Sequence, residues 1–335
     1  GTAALHLACL AAGIGPGDTV WTSPNTFVAS ANCALYCGAA ADFVDIDPST
    51  LNMSVEALAA KLEAAEADGT LPAAVIPVHF AGQSCDMAAI AALATRYGFT
   101  VIEDASHAIG GRYQDRPVGS CSHSAMATFS FHPVKIVTTG EGGMVVTNDS
   151  DLADRLRTLR THGITRDPAH MQHPTDEPWY YELTQLGYNY RMTDIQAALG
   201  ASQMGRIDAF VARRNALAER YTRLLAELPV TRQEPLAVAY SAFHLFVIQL
   251  AEECPARVDV FDRLRAADIG VNVHYIPVHL QPLYRERGFG PGDFPTAEAY
   301  YERAITLPLY PTMTDEQQDE VEDALVSVLE SGATP

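Results

Sequence analysis

The chain has 335 residues, 48% of them apolar and 19% charged, with 41 acidic against 22 basic side chains and a formal net charge of −19. That much apolar sequence can bury full cores, and the length fits about two domains of roughly 150 residues each. The acidic balance opposes a role in coating nucleic acid, and no apolar stretch reaches the ~18 residues of a membrane span, which excludes a transporter.

In chain order, Gly1-Thr2 heads a helical pattern over Ala3–Ala11. The chain begins with Gly1 and has no basic leader, so the natural protein is expected to start further upstream. Short β-rich runs follow at Thr19–Thr22, Ala41–Val44, Ala73–Val78, Thr100–Glu103, Ala127–Phe131 and Met144–Thr147. Helical patterns at Phe27–Cys37, Ser54–Ala67 and Met87–Tyr97 lie between several of them, with Ser54 and Asp86 standing where N-caps belong. This alternation predicts an α/β fold, a mostly parallel sheet with helices on both faces. The unbroken apolar run Ala73–Val78 suits a strand buried on both sides.

From Thr193 to Leu228 the pattern predicts one long helix, its Arg206, Arg213, Arg214 and Arg220 on a solvated face that bridges two domains. A strand over Ser241–Leu250 and helices over Arg257–Ala267 and Thr314–Glu330 then predict a smaller C-terminal α+β domain. The expected division is a large domain over 1–205, a connecting helix over 206–234 and the small domain over 235–335. Cys9, Cys33, Cys37, Cys85, Cys121 and Cys254 form no CxxC pair, so they read as free thiols of a cytoplasmic protein without a structural metal.

Open parallel sheets bind ligands beyond the carboxyl ends of their strands. Two polar groups stand there: Asp104, followed by Ala105-Ser106-His107, and the pair Ser130 and Lys135, followed by the turn Thr138–Gly143. Taken singly, such a lysine is ordinarily a solvated surface residue, and such an aspartate a turn or helix cap. Together they suit one chemistry. A lysine amine can form a Schiff base with an aldehyde cofactor, while a carboxylate holds that cofactor's pyridine nitrogen protonated. A helix N-terminus of small residues, such as Gly1-Thr2, can take a phosphate, and Phe27 could stack on a ring or serve as helix core.

The runs Gly1–His6, Ser23–Ser30, Glu103–Ala108, Ser130–Lys135 and Thr139–Gly143 resemble, in order, the motifs of the DegT/StrS-type sugar aminotransferases, pyridoxal 5'-phosphate enzymes of fold type I. The resemblance covers nearly the whole chain. It implies that Lys135 is the Schiff-base lysine, that Asp104 pairs with the pyridine nitrogen and that His107 lies near the ring. It further implies phosphate contacts from Gly1, Thr2 and Ser130, and ring stacking by Phe27. Asn189 matches a residue that reaches the phosphate of a neighbouring subunit, which implies a homodimer with active sites at its interface. Relative to the family, roughly fifty residues that pack on the small domain would precede Gly1, an expectation carried by the likeness alone.

Within the family, Val20–Asn52 and Pro178–Gly200 resemble the branch that uses L-glutamate to aminate C4 of a UDP-linked 4-keto-6-deoxy-N-acetylhexosamine in pseudaminic acid biosynthesis. Arg191, His274, Tyr275 and His279 then become expected substrate contacts, although exposed turn histidines are ordinary. The rival readings are another nucleotide-sugar 3- or 4-aminotransferase, a dehydratase on the same scaffold (whose members carry histidine in place of Lys135) and a non-catalytic cofactor-binding or DNA-binding regulator, which the net charge opposes.

Overall fold

The computed structural model describes residues 1–173 and 175–330; Pro174 and residues 331–335, the end of the expected small domain, lie outside the described residues. The central sheet has six strands: β1 (Thr19–Thr22), β2 (Ala40–Phe43), β3 (Ala74–Ile76), β4 (Thr100–Asp104), β5 (Met126–Ser130) and β6 (Gly143–Val146). Their order is β2-β1-β3-β4-β5-β6. All neighbours run parallel except β5 and β6, which join the turn after Lys135 to the sheet as an antiparallel pair.

Helices cover both faces, and the side-chain alternation shows why. Val20, Ile76, Ile102 and Met126 face a core shared with α1 (Thr2–Ala11) and α2 (Ala29–Tyr36). Their neighbours Trp21, Val75 and Val101 face the opposite core, built with α3 (Val55–Asp68) and α4 (Met87–Tyr97). The apolar run of β3 is therefore buried on both sides, as its lack of polar alternation requires. It is shorter than Ala73–Val78 because Pro77 has no N–H with which to continue the ladder. Ser54 and Asp86 cap α3 and α4 by accepting from the N–H groups of Ala57 and Ala89.

The segment from 193 to 228 is two helices. After α5 (Ser150–Leu159), α6 (Asp194–Met204) ends at Gly205, and α7 (Ile207–Leu224) starts anew after Arg206 leaves helical geometry. Nor is its arginine face uniformly solvated. Arg213 and Arg220 pair with Asp315 and Asp319 of the last helix, while Arg214 is buried. A three-stranded antiparallel sheet follows, ordered β7 (Val230–Arg232), β8 (Phe246–Leu250), β9 (Ala304–Leu307), packed on α7, α8 (Arg257–Ala266) and α9 (Asp315–Glu330).

Strand β8 begins five residues later than Ser241. Phe243 takes a left-handed conformation, and the N–H groups of Ala242 and Leu245 donate to the carbonyls of Gly82 and Ala81 instead of a strand partner. This detour brings the C-terminal half against the ends of β3 and β4. Among the described residues no helix is long and apolar enough to cross a membrane.

Candidate active site

Asp104 ends β4 in a buried position, and two donors fix its carboxylate. Ser30 Oγ on α2 donates to Oδ2 at 2.6 Å, and the Ser106 N–H donates to Oδ1 at 3.1 Å. Ser30 is itself oriented by Thr26 Oγ1 at 2.8 Å, four residues earlier in the loop that leads into α2. The preceding Glu103 points to the other face, where His79 Nε2 and Ser124 Oγ hold it and so anchor the strand end.

Lys135 sits in the turn between β5 and β6, half-buried, where its amine feels the Asp104 charge. Burial pushes its pKa down to about 8, against the upward pull of that carboxylate. A neutral amine is therefore available near physiological pH. The two residues that sequence reasoning singled out for chemistry thus lie within electrostatic reach of each other.

Around them the structure gathers most of the other candidates. His107 is buried, with Nε2 hydrogen-bonded to Tyr275 Oη at 3.1 Å and its ring nearly parallel to that of Tyr275. Burial first, and then the positive charge of Lys135, holds His107 well below the usual imidazole range. His274, bonded through Nδ1 to Thr306 Oγ1, is lowered to about 4 for the same two reasons, and Tyr275 is raised by burial, so both are neutral at pH 7. The Tyr275 N–H donates to Asn25 Oδ1, which ties the C-terminal half to the loop after β1. Phe27 is 56% exposed at the site's edge, its ring centroid 6.4 Å from that of Tyr275.

A phosphate-bearing pyridine aldehyde fits this donor set. Helix α1 has no side-chain cap, so its first N–H groups are free to hold an anion. Gly1 packs on buried Ser130 so closely that a Cβ there would lie 2.9 Å from the serine Cβ, and exposed Thr2 follows it. The Gly1 nitrogen donates to the Gly142 carbonyl, which joins the helix start to the Lys135 turn. Phosphate donors, an amine and a carboxylate are thus presented by adjoining elements, as the cofactor's three functional parts require.

Three residues lie apart. Asn189 and Arg191 are exposed on the segment before α6, and among the described residues their side chains make no hydrogen bond. His279 is fully buried instead, packed on Phe43 and Phe294 with Nε2 donating to Glu298 Oε1 at 2.9 Å. It does not join the group around Lys135. Sequence reasoning missed Ser30 as a partner of Asp104, although Thr26 and Ser30 stand at helical i, i+4 spacing. It also missed His244, whose ring lies 4.5 Å from that of His107. The available signal was a histidine interrupting the apolar run Phe243–Leu250.

The sequence matches the DegT/DnrJ/EryC1/StrS aminotransferase family over residues 1–326. It is 42% identical over 333 residues to the spore coat polysaccharide biosynthesis protein SpsC of Bacillus subtilis, covering 98% of this chain and 83% of that protein. Its structure is similar to that of a DegT/DnrJ/EryC1/StrS aminotransferase from Brucella abortus, with a TM-score of 0.87, 31% identity and coverage of 98% and 84% of the two chains. It is also similar to Helicobacter pylori PseC, an aminotransferase involved in the biosynthesis of pseudoaminic acid, with a TM-score of 0.86, 28% identity and coverage of 98% and 85%.

Proposed function

Because the chain belongs to the DegT/DnrJ/EryC1/StrS aminotransferase family and is a pyridoxal 5'-phosphate-dependent sugar aminotransferase, we propose that Lys135 and Asp104 are its reacting centre. The observation that carries this assignment is a depressed lysine amine within electrostatic reach of a pinned carboxylate, at and just beyond the carboxyl ends of parallel strands. When bound, the cofactor supplies an aldehyde that carries the amino group and a ring that accepts electron density from a carbon losing its proton. Lys135 Nζ, neutral, would take that proton from the amino donor's α-carbon and pass it to the carbon of the cofactor's aldehyde group, and in the second half of a ping-pong cycle would carry a proton from that carbon to the sugar carbon, so that the amine ends each half neutral. Asp104 keeps the ring nitrogen's proton in place, and the α1 N–H groups with Ser130 hold the phosphate.

We assign L-glutamate as the donor and C4 of a UDP-linked 4-keto-6-deoxy-N-acetylhexosamine as the acceptor. The motifs of Val20–Asn52 and Pro178–Gly200 and the likeness to PseC support this substrate. The higher identity to SpsC favours a second reading, a different nucleotide-linked keto sugar. A coupled assay for 2-oxoglutarate separates them. Turnover with the UDP-linked ketone at least about tenfold faster than with dTDP-4-keto-6-deoxyglucose supports the first, on the discrimination that a few lost polar contacts bring. Turnover with the dTDP sugar alone overturns it.

The segment around Asn189 also exposes Trp179, Leu183, Leu186 and Ile195 at 71%, 67%, 82% and 85%. An apolar surface of this kind marks a protein contact, and a second copy of the chain would cover it while bringing Asn189 to a neighbouring phosphate site. Light scattering is expected to give a dimer mass, and Ile195→Asp to shift the species toward monomer with a parallel loss of activity. A wild-type monomer with full activity contradicts this.

A further inference from the structure

Three backbone segments converge behind Asp104 so tightly that their packing dictates residue type. Gly82 has φ of 112°, and a Cβ there would lie 2.6 Å from the Phe243 nitrogen and 2.9 Å from the His244 nitrogen. Ala81 and Phe243 both take left-handed conformations, with φ of 58° and 44°. Such conformations persist only where the surroundings over-determine them. Here the surroundings include Arg214, buried on α7, which donates through Nη1 to the carbonyls of Phe243, His244 and Leu309 at 3.0, 3.2 and 3.0 Å. Among the described residues it has no carboxylate partner. A buried cation held by carbonyls alone is a poor way to gain stability, so its role is better sought in what it fixes.

What it fixes is His244. The rings of His244 and His107 are 4.5 Å apart at 51°, both are buried, and Nδ1 of each has no partner. His107 has a single ring hydrogen bond, to Tyr275, and one such bond does not prevent the imidazole from flipping or exchanging its proton between nitrogens. A second ring packed against it at 4.5 Å blocks the flip that would swap the two nitrogens, and so keeps Nε2 on the Tyr275 hydroxyl.

We propose that His244, held by Arg214, is a positioning residue that locks His107 in one orientation and one neutral tautomer beside Lys135. Charge supports the same arrangement. Lys135 and His274 act on both rings, Arg214 acts on His244 and the Tyr275 hydroxyl bonds His107, and burial first, then the cations among these groups, keeps both imidazoles unprotonated. His107 then presents a fixed donor and acceptor to whatever binds over Asp104. The functional consequence rests on Lys135 and Asp104 being the reacting centre, but the locked ring is a property of the cofactor-free protein.

The test follows from that separation. Protein labelled with 15N-histidine, without cofactor, is expected to show His107 as one neutral tautomer from pH 6 to 8 in long-range 1H–15N spectra. In His244→Ala the two tautomers mix or the ring titrates in that range. In the same variant, loaded with cofactor, kcat with glutamate falls about tenfold or more while KM stays within twofold, the signature of a misplaced group. His244→Phe, which restores a ring, recovers most of the loss. Arg214→Lys provides a second route if the alanine variant does not fold, with the same spectral change expected. A single unchanged His107 tautomer in whichever of these variants folds overturns the proposal, and does so whatever Lys135 proves to do.

Discussion

Lys135→Ala is expected to lower amino transfer by at least about 10³-fold and to abolish the visible absorbance that the wild-type protein develops when pyridoxal phosphate is added, since both the nucleophile and the proton carrier go with one amine. The loss is not one of folding. Burial depresses the Lys135 pKa to about 8, below its ordinary value of 10.5, so the folded state carries an unfavourable charge at neutral pH. Stability attributable to this group therefore rises with pH between about 8 and 10.5, where the unfolded chain binds the proton and the folded one does not. Removing the amine at pH 7 should leave the melting temperature unchanged or slightly higher, with a small gain because the side chain is only half-buried. In the wild type the absorbance should develop faster as pH rises through about 8, because only the unprotonated amine reacts. Lys135→Arg keeps the charge but cannot give up its proton, and should be equally inactive. The same absorbance in wild type and alanine variant would remove the reading at its root.

The parts of this molecule that were legible in sequence are those set by local pattern. Ala73–Val78 reads as a two-sided strand because an apolar run without polar alternation suits burial on both faces, and Ser54 and Asp86 read as caps because each precedes a helical period. Lys135 and Asp104 could be paired because the parallel-sheet rule sends both to the same edge. Elsewhere the deciding contacts are distant in sequence. Gly205 interrupts what periodicity draws as one helix, because a glycine costs a helical pattern only about 1 kcal/mol and leaves its apolar spacing intact. Arg214 shares a surface-like sequence with Arg213 and Arg220, yet is drawn inward by carbonyls 29, 30 and 95 residues away. His279 stands in a turn that looks solvent-facing, but the aromatic side chains of Phe43 and Phe294, from two remote segments, close over it. Function here depends on loops meeting, and no window of sequence contains the meeting.

Asp104→Asn is the substitution in which two expected effects run in opposite directions. The amide keeps the volume of the carboxylate and one oxygen for the Ser30 hydroxyl, so the fold around α2 should survive. Its second polar atom becomes an NH2 group that cannot accept from the Ser106 N–H, which weakens the hold on the side chain. The lost negative charge no longer keeps the ring nitrogen protonated, and kcat is expected to fall by about 10²–10³-fold, the range found when one preorganised electrostatic partner is removed. The Asp104 charge also raises the Lys135 pKa against burial, so its removal should let that pKa fall further below about 8. Rapid-mixing measurements on the variant should therefore find absorbance developing at a lower pH than in the wild type, while turnover is much slower. If catalysis and the pH midpoint are both unchanged, Asp104 lies outside the reacting centre. If turnover falls with no movement of the midpoint, the two side chains are not electrostatically coupled, and the shared site described for them is wrong.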